Sequence, residues 1–228
     1  MINRNKISHT WNLSPKDAIA LQKELRNKIS LVPIKKKIKT IGGADVSLNM
    51  FGKDLYAGIV VLSYPDLKII DQSYIKIEAN FPYIPGLLSF REIPGLLKCW
   101  EQLKHKPDLV MIDGQGIAHP RRLGIAAHFG ILINVPTIGV GKSKLYGEYE
   151  VPIEVGTESK IIDPKTDEII GTALKSKKGS NPLIISPGHL ITIRESVELV
   201  KKCIHGYRLP EPTRQAHIGV NGFRKISQ

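Results

Sequence analysis

The sequence predicts an α/β fold with a mixed central sheet, an antiparallel meander joined to parallel strands, flanked by helices. Three observations carry this reading. Strand-like segments at 41–50, 55–63 and 68–77 follow one another with only turn residues between them, which suits an antiparallel meander. The short apolar run Leu109-Val110-Met111-Ile112 ends in an acid, Asp113, the pattern of a buried central strand. A helical segment at 122–132 and a strand at 137–140 then complete a β-α-β unit.

The remaining elements follow in chain order. Residues 14–29 read as a helix. Ser14 is a candidate N-cap, Pro15 suits the first helical position, and Asp17 favours the N-terminal dipole. Ala18, Leu21, Leu25 and Ile29 recur at helical spacing. A basic connector follows, with Lys35, Lys36, Lys37 and Lys39, as either a solvated linker or a phosphate contact. Phe81-Pro82-Tyr83-Ile84-Pro85-Gly86 cannot be regular structure. A helix over 87–104 is expected to kink or restart at Pro94. Beyond Gly147 come short strand candidates at 161–162, 169–174 and 183–186, then a helix over 190–203. The tail from His205 reads as irregular and basic. Three antiparallel strands followed by alternating helices and strands is the order of an RNase H-like domain. We expect one domain over 1–228, with the helix and connector in 1–40 and the core in 41–217.

Composition narrows the function classes. Hydrophobic residues make up 42% of the 228 and charged residues 24%, enough for a packed core. Lys plus Arg is 33 against 21 Asp plus Glu, a formal charge of +12. That excess points to a polyanionic partner, nucleic acid ahead of a membrane surface. No apolar stretch reaches about 18 residues uninterrupted, so no membrane span is expected. The N-terminus has no apolar h-region, and Cys99 and Cys203 are too few and too far apart for a disulfide scaffold or a Cys-rich zinc site. A cytoplasmic, monomeric protein is the expectation.

The chemistry-bearing residues are acids first. Asp45 sits within the first strand and Asp113 at the end of the apolar strand. Acids there are disfavoured and costly when buried. Each alone reads equally as a turn or cap residue. As a pair on neighbouring strands they repel unless a hard divalent cation lies between them. Glu92 offers a third carboxylate, or a surface acid beside Arg91. The densest segment is Asp113-Gly114-Gln115-Gly116-Ile117-Ala118-His119-Pro120-Arg121-Arg122. Its glycines permit close backbone approach to a ligand or form a tight turn, and its arginines suit phosphate oxygens. Gly139-Val140-Gly141-Lys142-Ser143 lacks the spacing of a Walker loop, because Pro136 stands where its first glycine belongs. Lys142 therefore reads as a strand-end cation. Pro82-Tyr83-Ile84-Pro85 is a stiff apolar finger, either a packed loop or a wedge beside a base.

At these residues the chain resembles the endonuclease V family. The resemblance is carried by Phe81 to Leu88 with Phe90-Arg91-Glu92, by Asp113 to Gly124, by Gly139 to Leu145 and by Pro210 to His217, four motifs in register over about 45–217. It implies an RNase H-like fold and Mg²⁺-dependent cleavage, with Mn²⁺ as a substitute, of DNA containing deaminated bases, chiefly deoxyinosine. The implied cut is at the second phosphodiester bond 3′ to the lesion. Carried over residue by residue, Asp45, Asp113 and Glu92 look like the metal-binding catalytic acids, with Lys142 and His217 near the cleavage centre. Pro82, Tyr83, Ile84 and Pro85 look like the DNA wedge. Gly86, Leu88, Gly114, Gly116 and Leu145 look like walls of the lesion pocket, and His119, Arg121 and Arg122 like phosphate contacts. The stretch 150–166 is longer and more polar than the family pattern, and no role is assigned over 161–183. Two rival readings are an inosine-directed ribonuclease or structure-selective nuclease on the same fold, and a basic binding module without catalysis. The acids argue against the last, since a pure polyanion binder gains nothing from carboxylates beside its phosphates.

Overall fold

The computed structural model describes residues 8–48 and 52–227. The expected end of the first strand at 49–50 and part of the turn after it lie outside the described residues. The described elements are α1 (Pro15–Leu25), β1 (Thr40–Leu48), β2 (Asp54–Ser63), β3 (Ile69–Glu78), α2 (Leu88–Gln102), β4 (Leu109–Ile112) and α3 (Ile125–Ile133). β5 (Thr137–Gly141), β6 (Glu158–Ile162), β7 (Ile169–Leu174), β8 (Leu183–His189), α4 (Ile193–Lys202) and α5 (Glu211–Ile226) follow. The strands form one sheet in the order β3-β2-β1-β4-β5-β8-β7-β6. β1–β3 form the expected antiparallel meander, and β4 joins β1 and β5 in parallel. β8, β7 and β6 extend the sheet as antiparallel strands.

Alternation along β4 explains its unbroken apolar run. Val110 and Ile112 face a core shared with α2 and α3, while Leu109 and Met111 face one shared with α4 and α5. All four are essentially buried. α1 starts as expected, Ser14 Oγ accepting from Asp17 N at 3.2 Å. α4 starts at a capping box, Thr192 with Glu195.

A restart of the helix at Pro94 is excluded, and two other expectations are corrected. Pro94 lies inside one continuous helix, α2. It sits in the second turn, where an amphipathic face holding Phe90, Ile93 and Leu96 in the core keeps the helix going. The helix expected from Arg122 starts at Ile125, because Arg122 has a left-handed backbone (φ 61°). The tail, expected to be irregular, forms α5 and packs across β1 and β2. Its buried face is Pro212, Thr213, Ala216 and Val220, mostly small or polar, so it presents little apolar periodicity. Close approach replaces bulk: a Cβ on Gly43 of β1 would overlap the Pro212 backbone.

Candidate active site

Strand register places the acids. Ala44 pairs with Ile112, and Asp113 N donates to Ala44 O at 3.0 Å, so Asp45 and Asp113 lie side by side where parallel β1 and β4 run out. Glu92 reaches the same cleft from α2, and Lys142 follows the end of β5. Ligand sites in open α/β sheets favour these carboxyl ends. Asp45 is 6% exposed. Its Oδ1 accepts from Val46 N at 2.8 Å, and its Oδ2 accepts from His217 Nδ1 at 2.7 Å. Asp113 Oδ2 is ion-paired with Lys142 Nζ. α5 therefore delivers His217 to the acids, and Asn221 one turn on accepts from Ser47 Oγ at 2.9 Å.

The electrostatics are those of acids crowded together. Burial, then Asp45 and Asp113, push Glu92 up to about 8, with Arg91 opposing. Burial and Asp45 push Asp113 up to about 6, with Lys142 opposing. Asp45, Asp113 and His217 each offer a ligand atom, all within 4.8 Å of one another. Oxygen-rich donors with one imidazole, short of positive charge, fit a divalent cation.

The acids line a cleft of about 370 Å³, within the usual range for ligand sites. Of the expected pocket residues, Gly86, Leu88, Gly114 and Leu145 line it. Gly114 holds φ 145°, and a side chain there would strike Ile125. Gly116 is not in the lining, and its N–H donates to the buried Ser186 Oγ at 2.8 Å. Tyr83 and Pro85 border the cleft, and Tyr83 is 61% exposed. Ile84 instead packs against Phe81, Leu87 and Phe90, and Pro82 is exposed. The loop is tied down at both ends. Arg91 Nη1 donates to Phe81 O at 2.6 Å. Gly86 O accepts from Gln22 Nε2, His119 Nε2 and Arg121 Nη2 at 2.8–3.0 Å.

The three expected phosphate contacts have internal partners. His119 Nδ1 also accepts from Arg121 N at 3.1 Å, so both ring nitrogens are used by a neutral imidazole. Burial lowers its pKa to about 4, the Gly86 carbonyl opposing and Arg121 assisting. Arg121 Nε donates to Gln22 Oε1. Arg122 pairs with Asp163 at 2.7 Å and Glu168 at 2.6 Å. Sequence reasoning missed Gln22, a buried polar residue on the core face of α1. A buried glutamine on an otherwise apolar stripe has no sequence signature.

A family model described as Endonuclease V matches residues 23–218. The chain belongs to the endonuclease V family. An endonuclease V of Dehalococcoides mccartyi is 46% identical over 212 residues, covering 92% of this chain and 94% of the relative. The crystal structure of an endonuclease V from Streptomyces avermitilis matches with a TM-score of 0.88 at 32% identity, covering 98% of each chain. A Ciona intestinalis endonuclease V in complex with a 24mer DNA containing an inosine followed by a ribo-adenosine matches with a TM-score of 0.82 at 29% identity. It covers 93% of this chain and 98% of that one. The fold is RNase H-like, as the element order led us to expect. Among the described residues, no helix is long and apolar enough to cross a membrane.

Proposed function

We propose that this chain, acting as one endonuclease V domain over 1–228, is a metal-dependent DNA repair endonuclease directed at deaminated bases, chiefly deoxyinosine. It hydrolyses the second phosphodiester bond 3′ to the lesion and leaves a 3′-OH and a 5′-phosphate. The observation that carries this is convergence in one cleft: three carboxylates from β1, α2 and the end of β4, a pocket wall that includes Gly86, Leu88, Gly114 and Leu145, and an anchored aromatic loop at the mouth. Membership of the family and the inosine-containing DNA bound by the Ciona relative support it.

Asp45, Asp113 and Glu92 would hold the cation, Mg²⁺ or Mn²⁺ in its place, with His217 beside them. When bound, the cation supplies Lewis-acid stabilisation of charge on the phosphate and makes water more acidic. Lys142, held on Asp113, adds a positive charge facing the phosphate. His217 donates from Nδ1 to Asp45, which leaves Nε2 as the basic nitrogen to hold a proton from water. Tyr83 stands out from its anchored loop to fill the gap that the extruded base leaves. The internal ion pair of Arg122 leaves that residue out of our phosphate contacts.

Three substrates separate this reading from its rivals: inosine in duplex DNA, inosine in RNA, and a lesion-free junction. The ribonucleotide beside the inosine in the Ciona complex makes the RNA arm informative. We expect a nick in the inosine DNA and an intact junction. Cleavage confined to RNA or to the junction contradicts the proposal.

A further inference from the structure

β5 ends at Gly141, whose partner across the ladder is Ile184 of β8. Lys142 lies one residue beyond that ladder, and its Nζ is ion-paired with Asp113. A lysine is a point charge on a flexible four-carbon stem, so the place of its ammonium depends on how firmly its backbone is held. Among the described residues, the Lys142 and Ser143 carbonyls are held by side chains and by no backbone N–H. Gln115 Nε2 donates to Ser143 O at 2.9 Å, and Arg208 Nη2 donates to Lys142 O.

Arg208 stands in the connection between α4 and α5, three residues ahead of α5. Its guanidinium closes the corner where β5 ends and β8 begins. Nε donates to Asn181 O at 3.0 Å, and Nη2 also reaches Pro182 O at 3.4 Å. The backbone of Arg208 is tied in as well, its carbonyl accepting from Ser176 Oγ at 2.8 Å. The fork therefore joins the two strands just past their last ladder pair, and all three of its acceptors are backbone carbonyls. A planar fork with fixed donors suits such a brace better than a freely rotating ammonium does.

We propose that Arg208 is a positioning residue for Lys142, fixing its backbone so that Nζ stays on Asp113 and faces the phosphate. This rests on the proposed function, in which the Lys142 charge stabilises the phosphate. Arg208 itself touches neither substrate nor cation in this account.

The test is a double-mutant cycle on single-turnover nicking of an inosine duplex, with Mg²⁺ and saturating enzyme. The proteins are wild type, Arg208→Met, Lys142→Met and the double variant. Affinity for the same duplex is read in EDTA by fluorescence anisotropy. Lys142→Met should slow nicking about a hundredfold, the scale of one lost electrostatic donor, which leaves a measurable rate. Arg208→Met should slow it about tenfold, as a displaced catalytic group does, with affinity in EDTA within a fewfold. In the Lys142→Met background the same change should cost less than about twofold, because the group it places is gone. A role confined to general stability would not depend on Lys142. Equal losses in both backgrounds, or an Arg208→Met or Lys142→Met rate equal to wild type, overturn the positioning role. A fall in affinity with an unchanged saturated rate makes Arg208 a phosphate contact and also overturns it. These results spare the proposed cleavage, whereas no cutting by wild type overturns both. If Arg208→Met does not fold by circular dichroism, Arg208→Lys takes its place in the cycle. Its single ammonium cannot span the three carbonyls, so a loss confined to the Lys142 background is expected, and an unchanged rate or equal losses overturn the inference.

Discussion

Lowering the pH from 7.5 to 5 should destabilise the wild-type protein more than a His119→Gln variant, by about 2 kcal/mol. In the unfolded chain His119 titrates near the ordinary value of about 6.5. In the fold its pKa is lowered to about 4, by burial first. A histidine with a depressed folded pKa contributes fully above the unfolded value. That contribution is lost as pH falls, because the unfolded chain takes a proton the fold refuses. At pH 5 the gap between about 6.5 and about 4 gives RT ln[(1 + 10^1.5)/(1 + 10^−1)], or about 2 kcal/mol. The variant keeps an amide N–H for Gly86 O and an amide oxygen for Arg121 N, so it does not simply break the loop. His128 and His189, whose pKa values burial also lowers, act in the same direction. Glu92 and Asp113, raised by burial and mutual repulsion, act in the opposite one. Total stability therefore mixes both signs, and only the wild-type-minus-variant difference isolates His119. Urea unfolding in EDTA at both pH values measures it. Parallel curves for the two proteins would refute a neutral, doubly engaged His119.

Asp113→Asn should reduce nicking by at least about a thousandfold, on the scale of a group that fixes the catalytic charge, and leave inosine-DNA binding in EDTA within a fewfold. Nicking and anisotropy on one preparation decide it, and normal turnover by the variant in saturating Mg²⁺ would sink the metal assignment. Tyr83→Ala removes an exposed side chain, so unfolding free energy should move by less than about 0.5 kcal/mol while selectivity for inosine over undamaged duplex falls. Unchanged selectivity in competition nicking removes the wedge role. Arg122→Ala strands the buried Asp163 carboxylate, which keeps only Tyr146 Oη and the Lys165 amide. It should cost about 3 kcal/mol in urea unfolding, and a loss below about 0.5 kcal/mol would mean the pair is not structural.

Much of this was legible in the residues. The meander follows from strand-like runs separated by turn residues, and β4 from an unbroken apolar run ending in an acid, whereas the register that sets Asp45 beside Asp113 is a property of the fold. What failed to show was long-range or small. α5 buries Thr213, Ala216 and Val220 rather than large side chains, so its pattern looked like a basic tail although it carries His217 to the acids. Arg122 looked like a phosphate contact because its partner, Asp163, comes from the segment after β6, 41 residues away. Gln22 bridges α1 to Gly86 and Leu123 from a position that periodicity treats as core. The neutrality of His119 follows first from its burial, which no motif encodes.

The central claim is a cation-dependent cut placed by a deaminated base. An end-labelled duplex carrying one inosine, incubated with Mg²⁺ or with EDTA beside an undamaged control, tests it most directly. The account predicts a single nick at the second phosphodiester bond 3′ to the inosine, present with Mg²⁺, absent with EDTA and absent from the control. A nick that survives EDTA, or equal cutting of the undamaged duplex, would contradict it.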